Sequence, residues 1–259
     1  MPTILIAFRP FDGEHNTENI LRLLENASSL GAKGFYCDYH LDLLDAIDLF
    51  CQKHHPSAGW VIPIVPNIPE YVRDISSGTV YAGWKRFRRL SFAYKARVFA
   101  RALFHPRSVL QKDFRVLFPI MLEMELARFA PHRPNLVFLH AQMTDLFLAT
   151  GARGLFEIFS KVVRSEFGAE PALETNNFHA LTKALALWKL PIAAIAAPLN
   201  AKGFSMRPSK AACEEAIDHC EMPIYARDIT AGRTLDHREA FEYASLHGAK
   251  VVILEVTSE

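Results

Sequence analysis

Short apolar runs and longer amphipathic segments alternate along the whole chain. Most of the runs end in a polar residue, and helix-like segments separate most of them. This pattern predicts eight strands, which are ILIAFR (4–9), GFYCDYH (34–40), WVIPIVPN (60–67), LVFLHAQ (136–142), PALETNN (171–177), IAAIAAPLN (192–200), PIYARD (223–228) and VVILEV (251–256).

Eight strand–helix units in a chain of 259 residues are typical of a (β/α)₈ barrel, in which active sites lie at the carboxyl ends of the strands. We therefore predict an α/β fold with one domain over residues 1–259. The last strand should pair with the first, and no final helix is expected after it. Thr17, Ser209 and Asp236 are the expected N-cap residues of three of the helices.

Residues 69–134, between the third and fourth strands, are too many for a single crossover helix and predict a helical insertion. Residues 85–115 contain ten Lys or Arg and one acid, Asp113, whereas the rest of the chain has 19 basic and 27 acidic residues. Aromatic residues lie among these arginines. Such a mixture is found in surface helices, membrane-surface helices and nucleic-acid contacts. A lid, or a contact between copies of the chain through residues 84–118, would also fit.

Composition excludes several classes of protein. The net charge of +1 gives no global case for a nucleic-acid partner. The four cysteines form neither a CxxC pair nor a zinc-ligand spacing, and they indicate a reducing compartment. The longest apolar stretch, residues 191–199, is too short to span a membrane, and no signal peptide is evident. We expect a cytoplasmic protein that acts on a small molecule.

The second half of the chain resembles the aldo-keto reductases. The matching stretches are VFLHA (137–141), ETNNFHALTKAL (174–185), PLNAKGF (198–204) and residues 223–258, and SLGAKGFYCDYH (29–40) is similar to an earlier segment of that family. The resemblance implies a (β/α)₈ barrel and NADPH-dependent carbonyl reduction by an Asp, a Tyr, a Lys and a His. Asp38 and His140 fall at the positions of the Asp and the His.

The other two positions of that tetrad are not matched. The third run, VIPIVPN (61–67), contains no lysine, and Tyr39, His40 and Leu41 follow Asp38 where the family places its Tyr several residues later. Without the lysine, a tyrosine hydroxyl lacks the cation that lowers its pKa for proton donation. The sequence therefore favours a reaction other than hydride transfer, and no cofactor is assigned.

Side chains two residues apart on a strand share a face. This places three polar pairs toward the barrel mouth: Asp38 with His40, His140 with Gln142, and Glu174 with Asn176. We predict that His140, Asp38 and Glu174 are catalytic, because histidine titrates near neutrality and nearby carboxylates tune it. The predicted substrate-binding residues are Arg9, His40, Gln142, Asn176, Arg227 and Glu255. Alternatively, His140 is a hydrogen-bonded core residue.

Glu255 ends an apolar strand and needs a cationic partner, for which Arg9 is the first candidate and Arg227 the second. Neighbours on a strand face opposite sides, so only one of Arg227 and Asp228 should face the barrel interior. A metal site of His140, Glu174, Asp228 and Glu255 is an alternative, although no local ligand motif supports it. The loop ITAGRT (229–234) offers Gly232 and Arg233 to a phosphate.

The favoured function is acid–base catalysis of the lyase, isomerase or hydrolase type on a small anionic or carbonyl-containing metabolite. Three alternatives stay open: an NADPH-dependent reductase with a rebuilt tetrad, a metal-dependent isomerase or hydrolase, and a non-catalytic barrel that binds a partner or polyanion through its basic insertion.

Overall fold

Eight parallel strands close into a barrel in chain order, which confirms the predicted fold class. The computed structural model describes residues 2–8, 16–76, 84, 87–88, 90–104 and 113–256. The first and last strands pair in register from Thr3 opposite Val251 to Phe8 opposite Val256, as predicted. The strands are β1 (Thr3–Phe8), β2 (Phe35–Asp38), β3 (Val61–Val65), β4 (Leu136–Leu139), β5 (Glu170–Glu174), β6 (Ile195–Pro198), β7 (Ile224–Arg227) and β8 (Val251–Val256).

Helices connect successive strands and cover the outside of the barrel. In the described residues they are α1 (Thr17–Ser29), α2 (Leu41–His54), α3 (Ile68–Ser76), α4 (Phe92–Phe104), α5 (Phe114–Phe129), α6 (Ala141–Ala149), α7 (Arg153–Phe167), α8 (Phe178–Trp188), α9 (Lys210–Asp218) and α10 (His237–Leu246), with a 3₁₀ turn at Ala130–His132. None of the helices in these ranges is long and apolar enough to cross a membrane.

Alternation along the strands separates an inner core from an outer one. Inside the barrel the Phe138 ring meets the rings of Tyr36 and Tyr225 edge to face, with centroids 5.2 Å apart in each of these two pairs. Alanines 172, 194 and 196 belong to the same inner cluster. The intervening strand residues, such as Phe35 and Leu139, pack outward against the helices. A strand-end residue in phase with the inner rings therefore reaches the barrel mouth.

Between β3 and β4 the described residues include the helices α3, α4 and α5. Phe118, Leu122, Leu126 and Phe129 of α5 are fully buried and recur at helical spacing. The Phe118 ring meets Phe147 of α6 edge to face at 5.2 Å, so α5 fills the place of the regular crossover helix. Among the described helices, α3 and α4 are thus additional to the regular crossover.

Several local predictions need correction. β4 ends at Leu139 and α6 begins at Ala141, so Gln142 is a helical residue and not a strand residue. The N-cap of α1 is Asn16, whose side chain accepts from the Glu18 amide, and not Thr17. Ser209 and Asp236 cap α9 and α10 as predicted.

Candidate functional site

A cavity of about 450 Å³ opens at the carboxyl ends of the strands. Of the nine predicted site residues, seven line it: Asp38, His140, Gln142, Glu174, Asn176, Arg227 and Glu255. His40 is half-buried at the start of α2 and is not among the lining residues. Arg9 lies outside the described residues, so its pairing with Glu255 stays a prediction.

His140 joins the end of β4 to the start of α6. It is the N-cap of that helix, and its Nδ1 accepts the backbone N–H of Gln142 at 3.2 Å. An imidazole nitrogen that accepts a hydrogen bond carries no proton, so the ring proton of this neutral histidine lies on Nε2. The capping bond thus fixes both the orientation of the ring and its tautomer.

Glu174, at the end of β5, is 5% exposed and connects two parts of the mouth. Its Oε2 accepts the N–H of Ala141 at 3.2 Å, at the positive amino end of α6. Its Oε1 lies 3.1 Å from Nε of Arg227. Protein nitrogens contact both carboxylate oxygens and thereby fix the Glu174 side chain, which in turn holds Arg227 in place.

Arg227, at the end of β7, is buried and surrounded by acceptors. Its Nη1 lies 2.6 Å from Oδ2 of Asp228, and its Nη2 donates to Oδ1 of Asn176. Burial lowers the pKa of the guanidinium, but the charges of Glu174 and Asp228 outweigh it, and the net shift is upward. This arginine is a permanently charged centre of the mouth: its two terminal nitrogens donate to the protein, and its Nε is paired by charge with the Glu174 carboxylate.

Asp228 corrects the prediction that only one residue of the Arg227–Asp228 pair would face the mouth. Its φ of +52° takes it out of strand geometry, and both residues line the cavity. Asp is among the residues that tolerate this left-handed conformation. The backbone turn brings the Asp228 carboxylate back to the neighbouring guanidinium.

Asp145 of α6 is a functional candidate that the sequence did not reveal. Its Oδ1 accepts the hydroxyl of Thr175 at 2.5 Å, and its Oδ2 accepts the N–H of Asn176 at 3.1 Å. The two bonds fix the chain just beyond Glu174, and with it the Asn176 side chain that contacts Arg227. Asp145 lies one helical turn after Ala141, at a position where a polar residue is ordinary, so no local signal marked it.

Asn200 is a second residue that the sequence did not reveal. It is fully buried after β6, and its side chain bonds both the N–H and the C=O of Phe204. Its amide also donates to the backbone oxygen of Asp228 at 3.2 Å. Asn200 thereby ties two loops together and places Phe204 and Ser205 beside the cavity.

The described lining of the mouth is acidic. It contains four carboxylates, from Asp38, Glu174, Asp228 and Glu255, and one guanidinium, from Arg227. Asp38 follows Tyr36 by two residues on β2 and shares its inward face. The charge of Glu255 also raises the pKa of Arg227, which places the two groups in one electrostatic unit.

The metal and phosphate alternatives gain little from this geometry. Within the described ranges, no three His, Cys, Asp or Glu side chains converge closely enough to hold a metal ion, so the quartet of His140, Glu174, Asp228 and Glu255 is not a ligand set there. Gly232 and Arg233 line a neighbouring cavity of about 560 Å³. The acidic Asp228 and Glu255 line that cavity as well, which disfavours an anion.

Comparison with known proteins supports the fold. The chain matches no protein-family model and no curated protein sequence. It is similar to a putative 2,5-diketo-D-gluconic acid reductase B (TM-score 0.54, 12% identity, 99% of this chain and 78% of that one). It is also similar to the N-acetylmannosamine-6-phosphate 2-epimerase of Clostridium perfringens (0.50, 11%, 98% and 86%) and the 3-keto-D-glucoside 4-epimerase of E. coli (0.50, 12%, 100% and 94%). At such identities the likeness shows the (β/α)₈ barrel alone, and it extends to several enzyme classes.

Proposed function

We propose that this protein is an isomerase-type enzyme that moves a proton next to the carbonyl group of a small, uncharged polar metabolite. The observation that carries the proposal is the capped His140, which presents Nε2–H in a cavity that Asp38 also lines. A fixed donor and a carboxylate in one cavity are the two groups that enolisation requires.

In this proposal His140 stabilises the developing negative charge. Its Nε2–H donates to the carbonyl oxygen of the substrate, and the bond strengthens as that oxygen becomes an enolate. Because the Gln142 N–H holds the ring, little reorganisation is needed when the charge develops. A neutral imidazole in this role donates a hydrogen bond, keeps its proton and stays neutral throughout the step.

Asp38 is the proposed base. Its carboxylate takes the proton from the hydroxyl-bearing carbon next to the carbonyl and delivers it to the former carbonyl carbon, while the hydroxyl proton of the first carbon passes to the former carbonyl oxygen. Every atom of the substrate is retained, so the step needs no co-reactant. Glu174 and Arg227 act as positioning residues, because their contacts are to each other and to the ends of neighbouring strands.

The charge of the mouth favours a neutral substrate over the anionic one considered first. Arg227 was the predicted anion clamp, but Glu174, Asp228 and Asn176 already occupy its nitrogens. Releasing the guanidinium to a substrate would leave a buried carboxylate without its cation, which is costly. Hydroxyl and carbonyl groups fit such a lining better than phosphate does.

Deuterium exchange tests the proposal without knowledge of the natural substrate. The protein is incubated in D₂O with small hydroxyketones and ketoses such as dihydroxyacetone, erythrulose and fructose, and NMR detects deuterium next to the carbonyl. We expect exchange above the buffer rate for at least one compound. No exchange with any compound, together with an unaltered fold, would exclude enolisation chemistry for this class.

Two variants assign the roles. Asp38→Asn should reduce the exchange rate by about 10³-fold or more, because it removes the base. His140→Gln should reduce it by about 10²-fold, because it removes the donor to the oxygen. Lys183→Gln, on an exposed side chain of α8, serves as the matched control and should leave the rate unchanged. Equal rates in all three variants would contradict both assignments.

A further inference from the structure

A second cluster of reactive side chains lies at the opposite end of the barrel, where α2 ends and the 3₁₀ turn leads into β4. Nε2 of His132 lies 2.9 Å from Oδ1 of Asp48, and Cys51 is among the groups that raise the pKa of this imidazole. The His132 side chain is only 6% exposed, whereas Cys51 is half-buried. A thiol, an imidazole and a carboxylate therefore lie in one cluster, and none of them belongs to the mouth.

A cavity of about 310 Å³ opens beside this cluster. Cys51 and His132 both line it, together with His55, Trp60 and Arg133. Among the described residues the lining contains no carboxylate, because Asp48 approaches His132 from α2 and contacts Arg128 at 3.3 Å. The cavity therefore offers a nucleophile in a basic, partly aromatic environment.

We propose that Cys51 is a nucleophilic thiol that undergoes exchange with small, carboxylate-bearing disulfides bound in this cavity. The Cys51 thiolate attacks one sulfur of the disulfide, a mixed disulfide forms, and the original S–S bond breaks. The departing thiolate takes a proton from the His132 imidazolium and leaves as a thiol. Arg133 supplies the positive charge that attracts the carboxylates of the ligand.

The protonation of His132 supports this assignment. Burial lowers the pKa of the imidazole, but the hydrogen bonds to Asp48 and Cys51 outweigh it and raise the pKa to about 9. At neutral pH an imidazolium therefore lines the same cavity as Cys51, where it supplies the proton that the departing thiolate takes. The charged and titratable groups around the pair are Asp48, Asp45, Arg128, His55 and Arg133, contributed by α2, α5 and the two adjoining loops.

The chain contains its own control. Cys220 is half-buried like Cys51, but its thiol lies 3.9 Å from the backbone oxygen of Met222, and burial raises its pKa. Cys37 and Cys213 are buried, and burial raises the pKa of each thiol. Reactivity at Cys51 can therefore be compared with reactivity at Cys220 in the same molecule, without any substitution.

The experiment treats the full chain with glutathione disulfide at pH 7 and measures mixed-disulfide formation at each cysteine by peptide mass spectrometry. We expect Cys51 to react about tenfold faster than Cys220 or more. Cystamine, a disulfide of similar reactivity with ammonium groups, should react more slowly than glutathione disulfide at Cys51. Equal rates at the two thiols, or faster reaction of Cys51 with cystamine, would overturn the proposal.

A variant then tests the partner. His132→Gln should lower the rate at Cys51 by about tenfold or more and leave Cys220 unchanged. The proton-exchange activity proposed for the mouth should persist when Cys51 carries the mixed disulfide, so either proposal can fail without the other. An unchanged Cys51 rate in folded His132→Gln protein would contradict the assigned pair.

Discussion

The two ends of the barrel use the same kinds of side chain in opposite ways. At the mouth, the Arg227 cation contacts two carboxylates and an amide and is almost fully buried. At the amino end, the His132 cation contacts one carboxylate and lines an open cavity together with a half-buried thiol. The first arrangement holds its charge at every physiological pH, whereas the second titrates. A permanent charge suits positioning, and a titrating one suits chemistry or modification.

The sharpest way to break the mouth network is Arg227→Met, which leaves Glu174 and Asp228 buried without their cation. We expect a loss of about 3–5 kcal/mol in the free energy of unfolding, measured by urea denaturation. Arg238→Met is the matched control, because Arg238 is 87% exposed and pairs with Glu242 on the surface. It should cost at most about 0.5 kcal/mol. Equal losses in the two variants would show that the Arg227 network is not a stabilising centre.

The amino-end cluster predicts a stability that depends on pH. The folded pKa of His132, about 9, lies above the ordinary value of 6.5. Its contribution should therefore be complete below pH 6.5 and be lost as the pH rises through 9. The stability difference between wild type and His132→Gln should shrink by roughly 3 kcal/mol across this range. A difference that stays constant with pH would contradict the assigned protonation.

Asp145→Asn probes the support of the mouth more gently. The new amide nitrogen cannot accept a hydrogen bond, so either the Thr175 hydroxyl or the Asn176 N–H loses its partner. We expect a loss of about 1–3 kcal/mol in the free energy of unfolding and a lower proton-exchange rate. Asp218→Asn, at an exposed position at the end of α9, should change stability by less than about 0.5 kcal/mol. Identical behaviour of the two variants would assign no positioning role to Asp145.

The smallest effect is expected from NADPH, which should not bind tightly in the cavity at the mouth. The described lining of the mouth carries four carboxylates, and the one guanidinium among its lining residues is already occupied, so a dinucleotide pyrophosphate meets net repulsion there. Titration calorimetry should show no low-micromolar binding. Low-micromolar affinity would instead favour the NADPH-dependent reductase.

The sequence predicted the barrel because each strand carries its own apolar run and each strand end its own polar residue. Alternation alone placed Asp38, His140 and Glu174 toward the mouth, and all three line the cavity. It could not predict the contacts around them. Arg227, which pairs with Glu174, lies on the distant strand β7, and Asp145, which fixes the chain beyond Glu174, lies on a helix. β4 was predicted too long because the apolar residues of α6 follow its end without a break.

The amino-end cluster was out of reach of the sequence for a similar reason. Asp48 and Cys51 lie one turn apart on α2, which is visible in the sequence, but His132 follows only after the long insertion. Nothing local distinguishes His132 from the ten other histidines of the chain. Closure of the barrel brings these segments together, so the pairing depends on the tertiary fold.

The most direct measurement of the central claim is the ¹⁵N–¹H correlation spectrum of the histidine side chains, recorded near pH 7.5 with ¹⁵N-histidine-labelled protein. His140→Gln and His132→Gln assign the two signals by their loss. The account predicts that His140 is neutral with its proton on Nε2, and that His132 is protonated on both nitrogens. A proton on Nδ1 of His140 would contradict the capping bond, and with it the donor role on which the proposed chemistry depends.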